Sequence, residues 1–202
     1  LCETYEAFGI NRQGGFAEYL KIPAKAVNQG NLVELEEKIT YEEAALVEPL
    51  SCVFNGQSRV NIELGDTVLI IGAGPIGIMH AFLAKIQGAV KVFMNDLSED
   101  RLALCKELDP DIITVTSAEL KEKIMAETKG NGVDVSIIAA PSPEAQSSAI
   151  ELMNMNGRVL FFGGLPKDRE NVKLNSNTIH YKQLAVHGSA RASLIQYRKS
   201  LA

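Results

Sequence analysis

An uninterrupted run of apolar and β-branched residues, Thr67–Ile71, shows no alternation between polar and apolar side chains. Such a run predicts a strand that is buried on both faces, as in the interior of a parallel sheet. Gly72, Gly74 and Gly77 follow it directly, and apolar side chains then recur at steps of three and four. That second pattern is typical of an amphipathic helix, so this segment predicts a strand, a tight turn and a helix.

The alternation of strand and helix patterns continues to the end of the chain. Strands are predicted at 67–71, 90–95, 112–115, 133–139, 158–162 and 184–187. Helices are predicted at 75–87, after Ser98 as N-cap, from Ser117 to Lys129 and at 143–153, with a polar loop to about residue 177. This spacing predicts an α/β fold with a doubly wound parallel sheet of six strands. Ligands bind at the carboxyl ends of the strands in such sheets.

The first part of the chain has a different pattern. Extended segments are predicted at 14–23, 25–29 and 32–35. The capping box Thr40–Glu43 predicts a short helix, and Pro49 should separate it from a second helix. Glu48 would then lie at the junction of two helical segments in an apolar setting, either exposed at a turn or held there for a function.

The glycine turn has the G-x-G-x-x-G spacing of a dinucleotide-binding fingerprint. Gly72 permits the tight turn, Gly74 lets the backbone approach a pyrophosphate, and Gly77 lets the helix pack close to the strand. Pro75 fits the first helical turn, whose free N–H groups and dipole favour an anion. The motif therefore predicts a Rossmann-type domain that binds a nicotinamide dinucleotide.

Asp96 ends the second predicted strand, nineteen positions after Gly77. An acidic residue there accepts hydrogen bonds from the adenosine ribose and would repel a 2′-phosphate, so it favours NAD over NADP. An ordinary strand–turn–helix is the alternative structural interpretation. A site for S-adenosylmethionine is another, but it usually has an acidic residue just before the glycine turn, where this chain has Ile70 and Ile71.

Composition and charge exclude several other classes of function. The chain has 202 residues, a net charge of −5 and a mean hydropathy of +0.03. These values are typical of a globular protein and argue against nucleic acid or an anionic membrane as a partner. We expect neither a bilayer-spanning segment nor a signal peptide. The three scattered cysteines argue against a disulfide framework and favour a cytoplasmic location.

Three stretches, Gly14–Tyr19, Ala44–Ser51 and Gly72–Gly77, together resemble the zinc-dependent medium-chain alcohol dehydrogenases. Within that superfamily, Glu48–Ser51 and Asp96 are similar to the sorbitol, or polyol, dehydrogenase branch, with threonine dehydrogenases nearby. The resemblance implies zinc-assisted hydride transfer to NAD from a secondary alcohol of a polyol or sugar derivative. It also implies a homo-oligomer, either a dimer or a tetramer.

The resemblance implies two domains and a set of site residues. Residues 1–45 would be a remnant of a β-rich, GroES-like catalytic domain, and residues 46–202 the NAD-binding domain without its C-terminal return to the catalytic domain. The implied cofactor-binding residues are Gly72, Gly74, Pro75, Ile76, Gly77, Asp96, Arg101, Ala140, Gly163 and Gly164. Arg191 would approach the active site, and Glu48 would bind or orient groups around a catalytic zinc ion. Cys2 would be the last of four structural zinc thiolates.

The remaining zinc ligands of that family would lie before Leu1 in such an enzyme. A catalytic zinc ion takes about three protein ligands, and this chain offers Glu48 alone. We therefore expect the chain as written to bind NAD without catalysing the reaction by itself. An L-threonine 3-dehydrogenase, another alcohol dehydrogenase and a non-catalytic NAD-binding module are the alternatives. Cys52 and Cys105 are expected in the core, and His80 is expected to pack inside its helix interface.

Overall fold

The computed structural model describes residues 5–202. The chain divides into two compact units, one ending at Thr40 and the other spanning Tyr41–Ala202. Residues 5–40 form a short helix, α1 (Ala24–Asn28), and loops, and their strand-like pairing is limited to one isolated bridge between Phe8 and Arg12.

The prediction of extended segments in this first unit is therefore wrong. The segment 25–29 lies almost wholly in α1, because alanine and lysine favour helix and Pro23 occupies the N-cap with an extended backbone. The segments 14–23 and 32–35 form no strand, since a strand needs a hydrogen-bonded neighbour and residues 5–40 supply none beyond that bridge. The β-rich character predicted for the first 45 residues is thus not seen in residues 5–40.

The second unit begins with a single long helix, α2 (Tyr41–Val60), that runs through Pro49. The prediction of two helices with a junction at Glu48 is therefore wrong. Proline inside a helix costs about 3 kcal/mol. Val47, Val53 and Val60 are buried along α2, and each fully buried valine contributes about 1.5–3 kcal/mol. The burial of these side chains outweighs the lost hydrogen bond and keeps the helix continuous.

A six-stranded parallel sheet follows, with the strand order β3-β2-β1-β4-β5-β6. The strands are β1 (Thr67–Ile71), β2 (Lys91–Asp96), β3 (Ile113–Thr116), β4 (Val133–Ile138), β5 (Met153–Phe161) and β6 (Ala185–Gly188). The remaining helices are α3 (Pro75–Gln87), α4 (Glu99–Leu108), α5 (Leu120–Glu127), α6 (Pro143–Glu151), α7 (Ser176–Tyr181) and α8 (Leu194–Leu201). The predicted doubly wound α/β sheet is confirmed. Its strand order reverses between β1 and β4, where such sheets bind their ligands.

The sheet separates two apolar cores. Val68 and Ile70 of β1 face the cluster that includes side chains of α3 and α4, while Leu69 and Ile71 face the cluster of α5 and α6. Because successive side chains of a strand point to opposite faces, a strand between two cores must be apolar throughout. This is the physical reason why Thr67–Ile71 lacks alternation.

Three further elements differ from the sequence prediction. Ser117 does not cap α5, which starts at Leu120 after Glu119; instead, its hydroxyl oxygen accepts a hydrogen bond from the Asn95 amide at 3.3 Å. β5 starts at Met153, where helix had been predicted to end, and a register shift separates this start from the rest of the strand. The predicted polar loop contains a short 3-10 helix (Lys167–Arg169) and the start of α7.

Across residues 5–202, the structure contains no helix with both the length and the apolar character needed to cross a bilayer.

Candidate functional site

The turn after β1 has three glycines, and each is subject to a different constraint. Gly72 has φ +113°, and a Cβ added there would lie 3.2 Å from the backbone of Ala139 and Ala140. A Cβ at Gly77 would lie 1.8 Å from the carbonyl oxygen of Gly72. Gly74 has an ordinary backbone, φ −75° and ψ 180°, and no atom of the described residues would lie within 4 Å of its Cβ. Packing requires the first and third glycines, and open space adjoins the second.

The start of α3 is suited to an anion. Gly74 is the N-cap and Pro75 occupies the first turn, so the N-cap residue has no side chain with which to cap the N–H groups there. The first turn also carries no acidic residue. Pro75 is exposed and Ile76 is half-buried. Uncapped N–H groups and the helix dipole together favour a negative charge at this position.

Asp96, at the end of β2, faces this turn. Its side chain is 9% exposed. One carboxylate oxygen accepts the Ala73 N–H at 2.7 Å, and the other accepts the Ser98 N–H at 2.9 Å. Each oxygen keeps a second lone pair for another donor, such as a ribose hydroxyl. The Arg101 guanidinium lies 3.7 Å from this carboxylate and is 61% exposed.

The ends of β4 and β5 close against the same turn. The Ala139 N–H donates to Ile71 O, and the Gly163 N–H donates to Ile138 O, both at 2.9 Å. A Cβ at Gly163 would lie 2.9 Å from the carbonyl oxygen of Ala140, so Ala140 is packed between Gly72 and Gly163. Gly164 is exposed and has open space at its Cβ position among the described residues.

These residues fit a dinucleotide with a pyrophosphate and an adenosine ribose. The structure brings together the glycine turn, Asp96, Arg101, Ala140 and Gly163 at the carboxyl edge of the sheet, beside the point where the strand order reverses. Two features carry the fit. A glycine with an unconstrained backbone adjoins open space, and a nearly buried carboxylate is held by two backbone N–H groups beside it.

The two candidate catalytic residues belong to other parts of the chain, α2 and the segment after β6. Glu48 is exposed on α2, and its carboxylate accepts a hydrogen bond from the Cys52 thiol at 3.5 Å. Burial and the neighbouring Glu48 raise the pKa of Cys52 to about 11. Arg191 follows β6, as predicted; it is exposed and has a left-handed backbone with φ +62°. Cys2 lies outside the described residues.

The described residues do not by themselves make a zinc site. A catalytic zinc ion takes about three protein ligands. Residues 5–202 contain no group of three or more His, Cys, Asp or Glu side chains arranged to hold a metal ion. Glu48 could supply at most one ligand. Cys105 is buried in the core as predicted, while Cys52 is half-buried, so its predicted place in the core is wrong.

Two buried polar groups of α2 were not identified from the sequence. Gln57 donates to the backbone oxygen of His80 at 2.7 Å and lies 3.1 Å from His80 Nδ1. The predicted packing role of His80 agrees with its full burial, which lowers the pKa of the imidazole to about 3. Asn55 is 8% exposed and bonds to the turn that carries Arg191. The sequence signal that could have identified Asn55 and Gln57 is their polarity in a helix that also buries Val47, Val53 and Val60.

Comparison with known proteins agrees with this geometry. Residues 75–202 match the family model described as zinc-binding dehydrogenase. The chain is 34% identical over 189 residues to an L-threonine 3-dehydrogenase from Idiomarina loihiensis, covering 93% of this chain and 53% of that protein. It is 33% identical over 189 residues to an L-threonine 3-dehydrogenase from Vibrio parahaemolyticus, covering 93% and 52%. The chain therefore spans about half the length of these relatives.

Solved structures give the same picture. A short chain alcohol dehydrogenase from Escherichia coli CFT073, complexed with NADH, superposes with a TM-score of 0.85 at 27% identity over 99% of this chain and 57% of that one. A protein from Sinorhizobium meliloti 1021 bound to NADP has a TM-score of 0.85 at 29% identity, covering 99% and 58%. The family match spans more than half of the chain, and it includes α3, the helix that follows the glycine turn. The chain belongs to the zinc-binding dehydrogenase family, within the medium-chain alcohol dehydrogenases.

Proposed function

We propose that this chain is the NAD-binding part of an alcohol dehydrogenase. The observation that supports this most strongly is the carboxylate of Asp96, fixed by the N–H groups of Ala73 and Ser98 beside the open space at Gly74. The backbone N–H groups that begin α3 would bind the pyrophosphate, and Asp96 would accept the ribose hydroxyls. When bound, NAD supplies the acceptor for the hydride that leaves the alcohol carbon.

The same carboxylate supports a preference for NAD over NADP. A 2′-phosphate about 4 Å from Asp96 would be repelled by about 4 kcal/mol per charge at an effective dielectric constant near 20. Arg101 would attract that phosphate, but its side chain is 61% exposed and water screens it. Because Asp96 is nearly buried and Arg101 is not, the repulsion should dominate. The NADH-bound and NADP-bound structures of similar proteins together indicate that the fold itself accommodates either cofactor.

Titration of the 202-residue chain with NADH and NADPH tests this proposal. We expect NADH to bind at least about 100-fold more tightly, since about 2.8 kcal/mol suffices for that ratio. Asp96→Asn removes the negative charge at nearly constant volume, so the ratio of NADPH to NADH dissociation constants should fall about tenfold or more.

Asp134→Asn is the matched control. The Asp134 carboxylate also accepts a backbone N–H, that of Thr67 at 2.9 Å, but it lies at the amino end of the sheet. This variant should leave the cofactor ratio unchanged. Two results would show that Asp96 does not face the ribose. One is tighter binding of NADPH than of NADH by the wild type, and the other is the same ratio of dissociation constants in Asp96→Asn and Asp134→Asn.

We propose a secondary alcohol as the substrate class. Residue motifs favour a polyol or sugar derivative, while relatives at 34% and 33% identity are named L-threonine 3-dehydrogenase. Both kinds of substrate carry a secondary hydroxyl, so the proposal concerns their common chemistry. Any catalytic zinc ion would need ligands from beyond residues 5–202, since Glu48 could add only one.

An activity assay on the protein that carries this chain separates these substrates. It would measure NADH formation with sorbitol and with L-threonine, each before and after treatment with a chelator. NADH formation with one substrate, abolished by the chelator, is the expected result. Binding of NADH without turnover of either substrate would instead favour the non-catalytic NAD-binding module.

We also propose that the protein forms a homo-oligomer. Among residues 5–202, β6 is an edge strand of the sheet that pairs only with β5, and Val186 on it is 38% exposed. An open edge of this kind can pair with a second sheet. Light scattering should therefore give a mass of at least two chains, and Val186→Lys on the edge strand should shift the equilibrium towards monomer.

A further inference from the structure

A chain of hydrogen bonds joins helix α2 to the segment after β6. The Asn55 Nδ2 donates to the Arg191 carbonyl oxygen at 2.8 Å. The Asn55 Oδ1 accepts from Gln196 Nε2, also at 2.8 Å. Gln196 Oε1 in turn accepts the Ser193 N–H at 2.8 Å, and Ser193 Oγ accepts the Gln196 N–H at 3.3 Å. One carboxamide therefore bonds both to a turn and to the capping box that starts α8.

The bonds of Asn55 are made where solvent competes little. Asn55 is 8% exposed, and its partners are 136 and 141 positions away in the chain. Arg191 has φ +62°, a backbone conformation that residues other than glycine adopt infrequently. A hydrogen bond to the carbonyl of that same residue helps to hold it there. Asn55 thus contributes to holding the conformation of the turn.

The turn lies at the functional edge of the sheet. β6 ends at Gly188, and the turn from Ser189 to Ser193 follows at its carboxyl end. A doubly wound sheet binds one mononucleotide with each half. The glycine turn and Asp96 belong to the half formed by β1–β3, so the loops after β4–β6 border the other mononucleotide, which in NAD carries the nicotinamide.

We propose that Asn55 is a positioning residue for the nicotinamide half of the cofactor site. Its carboxamide fixes the turn at Arg191 and the start of α8 to helix α2, which also carries Glu48. This inference rests on the proposed function, because it assumes a nicotinamide dinucleotide in the crevice. Asn55 itself is not assigned a contact with the cofactor.

Binding of NADH and of ADP to the full 202-residue chain tests the inference. ADP fills only the half formed by β1–β3. Asn55→Ala should raise the NADH dissociation constant about 3- to 10-fold and leave that of ADP within about twofold, since one to two hydrogen bonds are lost. Hydrogen exchange of the amides of residues 189–197 should become faster in the same variant.

Asn55→Asp separates the two bonds of the carboxamide. It keeps the acceptor for Gln196 and the side-chain volume, but replaces the donor to the Arg191 carbonyl with an oxygen. Because a carboxylate oxygen would then face the Arg191 carbonyl oxygen, it should act at least as strongly as Asn55→Ala. ADP binding within about twofold of wild type would show that each variant is folded.

Asn154→Ala is the matched control. The Asn154 carboxamide also makes two bonds, to Asp134 at 2.9 Å and from the Met155 N–H at 2.7 Å, at the amino end of the sheet. It should change neither NADH nor ADP binding. Unchanged NADH affinity together with unchanged hydrogen exchange in Asn55→Ala would overturn this inference but not the proposed function. An equal loss of affinity for NADH and for ADP would do the same. A wild-type chain that bound neither NADH nor ADP would overturn the proposed function as well.

Discussion

Replacing Gly74 with alanine should separate cofactor affinity from stability. The backbone of Gly74 has φ −75° and ψ 180°, which alanine adopts without strain, and its Cβ would meet no atom of the described residues within 4 Å. Alanine restricts the unfolded chain and so stabilises a compatible site by about 0.4–1 kcal/mol. For a unit of this size that corresponds to a melting temperature about 1–4 °C higher.

The same methyl group should weaken NADH binding. The space beside Gly74 is where a pyrophosphate approaches the backbone at a fingerprint of this kind. A methyl group there would displace the anion from at least one backbone N–H. A hydrogen bond to a charged group contributes about 1.5–3 kcal/mol, so the dissociation constant should rise about 10- to 150-fold.

Calorimetric titration with NADH, combined with thermal unfolding, measures both effects on one sample. Gly15→Ala is the control, because Gly15 in the first unit also lacks described neighbours at its Cβ position. Gly77→Ala should have the opposite effect on stability. Its Cβ would lie 1.8 Å from Gly72 O, so it should destabilise by about 1–3 kcal/mol or more, through overpacking against backbone that cannot move aside.

The outcome that would refute this reasoning is a Gly74→Ala chain that binds NADH within twofold of wild type. The space beside Gly74 would then not be the pyrophosphate site, and the glycine would owe its presence to neither packing nor the cofactor. A Gly74→Ala chain that melts well below wild type would contradict the stability argument separately, because it would reveal a steric constraint that the structure does not contain.

Two further predictions concern ion pairs of the scaffold. Arg158 makes two bonds of 2.8 Å to Asp66 and also donates to the carbonyls at the end of α2, so Arg158→Met should cost about 2–4 kcal/mol in chemical denaturation. Arg158→Lys should recover only part of this, because lysine lacks the two-pronged geometry; full recovery would contradict the role of that geometry. The Lys85 ammonium, 2.6 Å away, lowers the pKa of Asp109 below its ordinary value of 3.8. Its stabilisation is therefore complete above that value and lost as pH falls through the folded pKa. Asp109→Asn should be less stable than wild type at pH 7, and the difference in urea midpoints should shrink as pH falls below 3.8; a difference that stayed constant as pH fell further would exclude this ion pair as the cause.

The parts of the fold that sequence predicted well are those with local physical causes. β1 and α3 have the predicted bounds because burial on both faces and the glycine constraints act within a few residues. The N-cap at Ser98 is confirmed, since its hydroxyl oxygen accepts the Arg101 N–H three residues later. These features need no knowledge of what lies elsewhere in the chain.

The errors have tertiary causes. Pro49 predicts a helix break, but the burial of side chains along α2 outweighs its cost. Ser117 resembles an N-cap, but in the fold it accepts a bond from Asn95 of the neighbouring strand. A polar residue at Asn55 could be noticed in the sequence, but its partners could not be identified, because both lie more than 130 positions away. Side chains that anchor one element to a remote one cannot be identified from local patterns.

The role of Asp96 was predicted from local spacing, but one of its contacts is tertiary, and this affects how Asp96 variants must be interpreted. Spacing predicted a carboxylate for the ribose, but the structure shows that it also accepts the Ala73 N–H of the glycine turn at 2.7 Å. In Asp96→Asn the amide NH₂ must face one of two backbone donors, which then loses its acceptor at a cost of about 1–3 kcal/mol. That damage weakens NADH and NADPH alike, since both use the glycine turn. The ratio of their dissociation constants therefore cancels this damage and reports only what differs at the 2′ position, which is the repulsion of the phosphate together with the hydrogen bond to the 2′-hydroxyl; the absolute affinity does not separate these from the damage.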